Sequence, residues 1–192
     1  MTRFILASES PRRKELLGMF NIPFDCIPSQ TDEVFREHEE PDVVVMALAL
    51  EKALDVASRS PNGSVVLGAD TIVYMDGILG KPADEADAWT MLRRIQGKTH
   101  EVYTGFALVR AGTDEKTVEY VRTKVTIRAM EDALIQRYID SGEVWGKAGA
   151  YAIQGKGSVI VESIEGDYFN VVGLPISRVF ELLSSRFNLD LL

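Results

Sequence analysis

"SVVLGADTIVYM", residues 64–75, is the stretch on which the fold turns. It is a nearly continuous apolar run rich in β-branched residues, the pattern of a strand covered on both faces, and such strands belong to sheets flanked by helices. A carboxylate inside such a strand is costly to bury without a partner. Asp70 is that carboxylate, and the functional reading starts from it.

Toward the N-terminus, residues 3–7 read as a second short buried strand, and residues 24–40 as an irregular, acidic connection. The run "PDVVVMALALEKALDVASR" (41–59) is of helix length and polar mainly at Glu51, Lys52 and Asp55, which predicts a mostly buried helix. Toward the C-terminus, Asp76-Gly77 between apolar residues predicts a two-residue type I′ hairpin. "DEADAWTMLRRIQG" (84–97) predicts a helix closed by Gly97, and residues 101–110 and 117–128 predict two strands around the polar turn "AGTDEK". Residues 130–141 form a further helix ending at Gly142. The glycine-rich "GKAGAYAIQGKGSVIVESIEG" (146–166) mixes loops and strand, and the last helix, starting at Pro175, repeats Ile176, Val179, Phe180 and Leu183 at helical spacing. Strands and helices alternate with a hairpin inserted, so the expected class is α/β around a mixed sheet, a single domain over residues 1–192 with no clear linker.

A chain of 192 residues, 46% hydrophobic and 26% charged, suits one globular domain or two closely packed lobes. With 21 basic against 29 acidic residues the net charge is −8, which argues against non-specific binding to nucleic acid or an anionic membrane. A phosphorylated ligand has to be held locally. Cys26 is the only cysteine, so there is no intrachain disulfide and no cysteine zinc cluster. The sequence opens on a strand-like run rather than a charged-then-apolar leader, and no apolar stretch reaches the roughly 18–20 residues a membrane span needs. The expected location is the cytoplasm.

The N-terminal stretch "LASESPRRKELL" (6–17) places Ser10 as a helix cap, Pro11 at the first helical position, and Arg12, Arg13 and Lys14 in the first turn. The helix dipole disfavours cations there unless an anion sits among them. Ser8 and Ser10 can add hydroxyl donors. Taken alone, the stretch reads equally as an anion site and as a solvated basic patch on a capped helix. For Asp70, a two-residue hairpin loop sets Lys81 opposite Ile72, two positions away, close enough to share a site. Lys52 has apolar Leu48 and Val56 one helical turn to either side, so its amine either stands at the edge of a buried face or snorkels to water. Each of these residues singly is accounted for by a structural ion pair. Together with the arginines they suit hydrolysis of a phosphoanhydride, which needs cations on several phosphates and a carboxylate that can hold a divalent cation or act as a base.

Glu33, in "TDEVF", is a second carboxylate in the irregular loop, where functional side chains concentrate; the plain alternative is a surface acid. Gln154, in "AYAIQG", offers a donor and an acceptor side that can read a base edge, and a buried glutamine bonded to backbone is the competing reading. His38 and His100 have no metal-ligand spacing and read as structural or surface residues, and Trp89 and Trp145 read as packing.

The blocks "LASESPRRKELL", "GADTIV", "GKP", "EVYTG", "KAGAYAIQG" and "IEGDYFNVVGLP" give the chain, over essentially its whole length, a resemblance to the Maf family of nucleoside triphosphate pyrophosphatases. The resemblance implies a metal-dependent enzyme, using Mg²⁺ or Mn²⁺, that cleaves a nucleoside triphosphate between the α and β phosphates. It implies an α/β fold similar to inosine triphosphate pyrophosphatases, with the site in a cleft between two lobes, and it makes a homodimer plausible. It assigns Asp70 as general base, associates Arg12, Thr71 and Gln154 with substrate choice, and puts Ser8, Arg13, Glu33, Lys52 and Lys81 on site positions. Asp70 and Glu33 are the expected metal ligands, and which lysine meets which phosphate stays open. "KAGAYAIQG" looks like the branch acting on dTTP and UTP, whose bases share an N3–H donor and an O4 acceptor that a glutamine amide complements. Competing readings are a pyrophosphatase for 7-methyl-GTP or a modified pyrimidine nucleotide, and a non-catalytic nucleotide-binding regulator of septum formation.

Overall fold

In the computed structural model, which describes residues 2–20, 22–31 and 39–192, the apolar run at residues 64–75 forms a ten-residue strand, β3 (Val65–Tyr74), whose first six residues, Val65 through Asp70, are all buried. β3 pairs in parallel with the fully buried β1 (Phe4–Ala7), Ile5 opposite Val66 and Ala7 opposite Gly68. On the far side of β1 lies β2 (Asp25–Cys26), a two-residue parallel strand inside the segment expected to be irregular throughout. The sheet order is β2-β1-β3-β5-β6-β7, with β4 (Ile78–Leu79) pairing on β3 off that path. Here β5 is Thr99–Arg110, β6 is Lys116–Ile127, and β7 is Val161–Glu165, antiparallel to β6 with a register shift between Thr126 and Ile127. Among the described residues the sheet thus has seven strands in mixed orientation, the expected α/β class.

The chain divides into two compact units: Met1–Asp70 with Thr104–Val121 and Gly173–Leu192, and Thr71–Tyr103 with Arg122–Val172. In the first, helix α2 (Pro41–Ser58) lays Ala49, Ala53 and Val56 into a core with Ile5, Val66 and Ala107. Its approach is close because two strand positions lack a side chain. A Cβ built on Gly68 would lie 2.3 Å from the Ala49 carbonyl oxygen and 2.8 Å from the Ala53 nitrogen. One on Gly105 would lie 2.2 Å from the Val45 carbonyl oxygen. Backbone therefore rests on backbone at both points. Helix α1 (Pro11–Leu17) and helix α6 (Ile176–Phe187) belong to the same unit, and Asn188, in the left-handed conformation, ends α6.

In the second unit, helices α3 (Glu85–Ile95) and α4 (Asp132–Asp140) supply Leu92, Ile95, Ile135 and Ile139 to a core completed by Val73, Val125, Ile127 and Tyr151. Asp84 caps α3, accepting the Asp87 N–H at 2.8 Å. A short helix, α5 (Tyr168–Val172), interrupts the stretch before α6 and had no periodic signal. Trp89 packs against this core as expected, and Trp145 is 44% exposed.

The hairpin differs from expectation. Tyr74 pairs with Ile78 and Val73 with Leu79, so the loop is the three residues 75–77, with Asp76 and Gly77 both at positive φ. Asp-Gly suits a left-handed tip in either loop length, and the extra loop residue shifts the register by one. Continued along the strands, that register sets Lys81 opposite Thr71 rather than Ile72.

Two stability outcomes follow from these contacts. Gly105→Ala forces α2 away from β5; overpacking of this kind costs about 3 kcal/mol, and at about 2–4 °C per kcal/mol for a chain this size thermal denaturation followed by circular dichroism should show a midpoint lower by several degrees. An unchanged midpoint would contradict the close approach. His100, 2% exposed, meets the Tyr151 hydroxyl through Nε2 at 2.7 Å, and burial lowers its pKa to about 4. The unfolded chain, with histidine near 6.5, binds more protons between those values. The contribution of His100 to stability is therefore full above about pH 6.5 and declines toward pH 4, by at most about 1.4 kcal/mol per pH unit; urea titrations from pH 7.5 to 4.5 should show a decline that is reduced in His100→Asn.

Candidate functional site

β1 ends at Ala7, and the chain turns through Ser8 into α1, as the Ser10-Pro11 signal implies. The Ser10 side chain accepts the Arg13 N–H at 3.5 Å, and Pro11 takes the first helical position. Arg12 and Arg13 then diverge in environment. Arg13 is 9% exposed, its Nε donating to the Gly173 carbonyl at 2.8 Å and its Nη1 to Ser8 Oγ at 3.3 Å. It ties the turn after β1 to the segment before α6, so at least two of its five donors serve the scaffold. Arg12 is half-buried.

Asp70 finds its partner in Lys52. Nζ of Lys52 donates to Asp70 Oδ1 at 2.5 Å, with the residues 9% and 6% exposed. The hairpin count pointed to Lys81 for this contact; the helix supplies it instead. Residues 68 and 70 share one face of β3. The bare Gly68 admits the α2 backbone at Ala49 and Ala53, and Lys52, the residue before Ala53, is thereby carried to Asp70. A buried ion pair pays for desolvation of both groups and adds little net stability, so its retention in a core-facing position fits a functional carboxylate held in one orientation.

The second unit positions Thr71, Lys81 and Gln154. Thr71 is half-buried and Lys81 exposed. Arg94 holds the hairpin tip, donating through Nη2 to the carbonyls of Met75 and Asp76. The Gly80 carbonyl accepts the Gly149 N–H at 3.0 Å, joining the "GKP" turn to the glycine-rich segment. Gly149 is required there: its φ is +67°, and a Cβ would meet Val73 at 3.1 Å. Gln154 is half-buried, and its amide makes no hydrogen bond with any described residue, so it is not the backbone-bonded glutamine of the competing reading. The segment around it is fastened by residues that carried no sequence signal. Tyr138 Oη accepts the Ala152 N–H at 3.1 Å, and the Glu143 carboxylate accepts the N–H groups of Lys156 and Gly157. A contact made to main-chain amides 13 residues away leaves no motif to find.

Glu33 and His38 lie outside the described residues. Among the described residues no three His, Cys, Asp or Glu side chains converge as a metal cage. Mg²⁺ needs none, since one or two carboxylates together with substrate phosphates and water usually complete its octahedron, and the oxygen donors of Asp70 are of the right kind. No helix among the described residues is long and apolar enough to cross a membrane.

The model of the Maf-like protein family matches residues 3–186. The dTTP/UTP pyrophosphatase of Caldanaerobacter subterraneus subsp. tengcongensis is 52% identical over 186 residues, covering 96% of this chain and 89% of that one. The dTTP/UTP pyrophosphatase of Bacillus cereus (strain ZK / E33L) is 50% identical over 191 residues, 99% of this chain and 98% of its own. A solved nucleoside-triphosphatase / dITP/XTP pyrophosphatase from Mycobacterium abscessus aligns with 67% of this chain and 76% of that one at 17% identity, with a TM-score of 0.42. The resemblance carried by the sequence blocks is thereby borne out, and the chain belongs to the Maf family.

Proposed function

We propose that the protein is a nucleoside triphosphate pyrophosphatase that hydrolyses dTTP and UTP between the α and β phosphates, releasing the monophosphate and pyrophosphate. The observation that carries the reading is the buried Lys52–Asp70 pair at 2.5 Å, in a chain about half identical over nearly its full length to dTTP/UTP pyrophosphatases.

Asp70 accepts a proton from the attacking water as its oxygen bonds to the α-phosphorus. The bond from that phosphorus to the bridging oxygen breaks, and pyrophosphate leaves. Lys52 orients the carboxylate through Oδ1. Arg12 and Ser8 serve phosphate oxygens, Arg13 holds Ser8 in place, and Lys81 offsets charge on the leaving group. Asp70, with Glu33, would hold Mg²⁺ or Mn²⁺, which when bound supplies charge neutralisation and a more acidic water. Thr71 and Gln154 serve substrate choice: the Gln154 carbonyl accepts from N3–H of uracil or thymine while its amide donates to O4. Cytosine presents the opposite pattern.

The decisive assay measures both products from purified protein with Mg²⁺ or Mn²⁺ against dTTP, UTP, dCTP, dATP, GTP and 7-methyl-GTP. Monophosphate and pyrophosphate from dTTP and UTP alone are expected; the same products from another base would keep the chemistry and overturn the base assignment, and binding without turnover would favour the non-catalytic regulator. Asp70→Asn should lower kcat by about 10²- to 10⁴-fold with nucleotide affinity largely kept, and unchanged turnover would remove Asp70 from the mechanism. Gln154→Ala should reduce the preference of UTP over CTP by about tenfold or more, read from the ratio of kcat/KM values.

A further inference from the structure

The orientation of Gln154 is set from outside its own side chain. Its amide has no hydrogen-bond partner among the described residues, so the place from which it reaches is set by the backbone on which it stands. That backbone is fixed within two residues on each side. Before it, Ala152 N–H donates to Tyr138 Oη at 3.1 Å. After it, the two oxygens of the Glu143 carboxylate accept separate amides, Oε1 from Lys156 at 2.9 Å and Oε2 from Gly157 at 3.1 Å. Hydrogen bonds to an ionised acceptor are roughly twice as strong as neutral ones, and a fork of two fixes direction as well as distance. Gly155, between Gln154 and the fork, has φ +65° and no room for a Cβ, which would stand 2.7 Å from Glu143 Oε1. The carboxylate is thus packed directly under the residue that follows Gln154.

We infer that Glu143 is a positioning residue for base selection: its carboxylate fork holds the 155–157 turn so that the Gln154 amide presents its carbonyl and amino sides in fixed places to a pyrimidine's N3 and O4. The inference rests on the reading of Gln154 given above. A glutamine amide separates uracil from cytosine only when it meets the base edge with its carbonyl at N3 and its amino group at O4, and a displaced backbone would change the place and angle from which it reaches that edge.

The test is steady-state hydrolysis of UTP and CTP by the full-length protein and by Glu143→Ala, Glu143→Gln, Gln154→Ala and the Glu143→Ala/Gln154→Ala double variant. Glu143→Ala should raise KM for UTP and cut the UTP/CTP ratio of kcat/KM by about tenfold, with kcat changing far less. Glu143→Gln, which keeps one acceptor, should recover part of the ratio and carries the test if Glu143→Ala does not fold. In the Gln154→Ala background the Glu143 substitution should leave the ratio where it is, since its effect passes through Gln154. A ratio unchanged by loss of the carboxylate, an equal effect in both backgrounds, or a uniform fall in kcat for both nucleotides would each overturn the assignment. A wild-type protein with no preference of UTP over CTP would overturn it together with the Gln154 reading. That failure is distinguished by the wild-type control, whereas a preference retained in Glu143→Ala sinks Glu143 alone.

Discussion

Contact between the backbone of α2 and the bare strand positions Gly68 and Gly105 is the constraint on which the first unit depends. Side chains normally separate a helix from a sheet; here carbonyl and amide groups of the helix stand directly against the strand positions that lack one. The helix has alanine at positions 49 and 53 on the same side, which keeps that face thin. One result is a tight core with little volume to spare. Another is that Lys52, a long cation on an otherwise apolar surface, has a fixed distance and direction to Asp70. The position of the carboxylate's partner is thus set by main-chain packing two residues upstream of Asp70.

Much of this was legible in the order of residues. The apolar run through Asp70, the buried helix over 41–58 and the Ser10-Pro11 start of α1 all appear with nearly the expected boundaries, because each combines a period with a cap or breaker. The partner of Asp70 was not legible, for two reasons. Asp-Gly is compatible with hairpin loops of different lengths, and one extra residue sets Lys81 opposite Thr71, a position that alternates in face with Asp70, instead of Ile72, which shares its face. The contact that does form depends on how near a helix stands to a strand, which only the meeting of Gly68 with Ala49 and Ala53 reveals. Elements of two and five residues, β2 and α5, are too short to show any period.

Arg13 illustrates a different limit. A basic residue in a first helical turn signals an anion, and the same side chain turns out to bridge the Gly173 carbonyl and the Ser8 hydroxyl, 160 and 5 residues away. Its planar fork suits both tasks, and a scaffold that holds Ser8 is itself a contribution to any phosphate contact Ser8 makes. Residue type alone separates neither task from the other; burial does.

The fastening of the 155–157 turn by its amides has a consequence for how this stretch can drift over generations. Glu143 grips N–H groups, which every amino acid except proline carries, so Lys156 can be exchanged for many residues without altering the loop's shape. The glycines on either side have no such latitude, one for its positive φ and crowding by Glu143, the other because a Cβ would fall 1.9 Å from the Ala152 carbonyl oxygen. A lineage can therefore retune the charge at position 156 while inheriting the geometry around Gln154 intact.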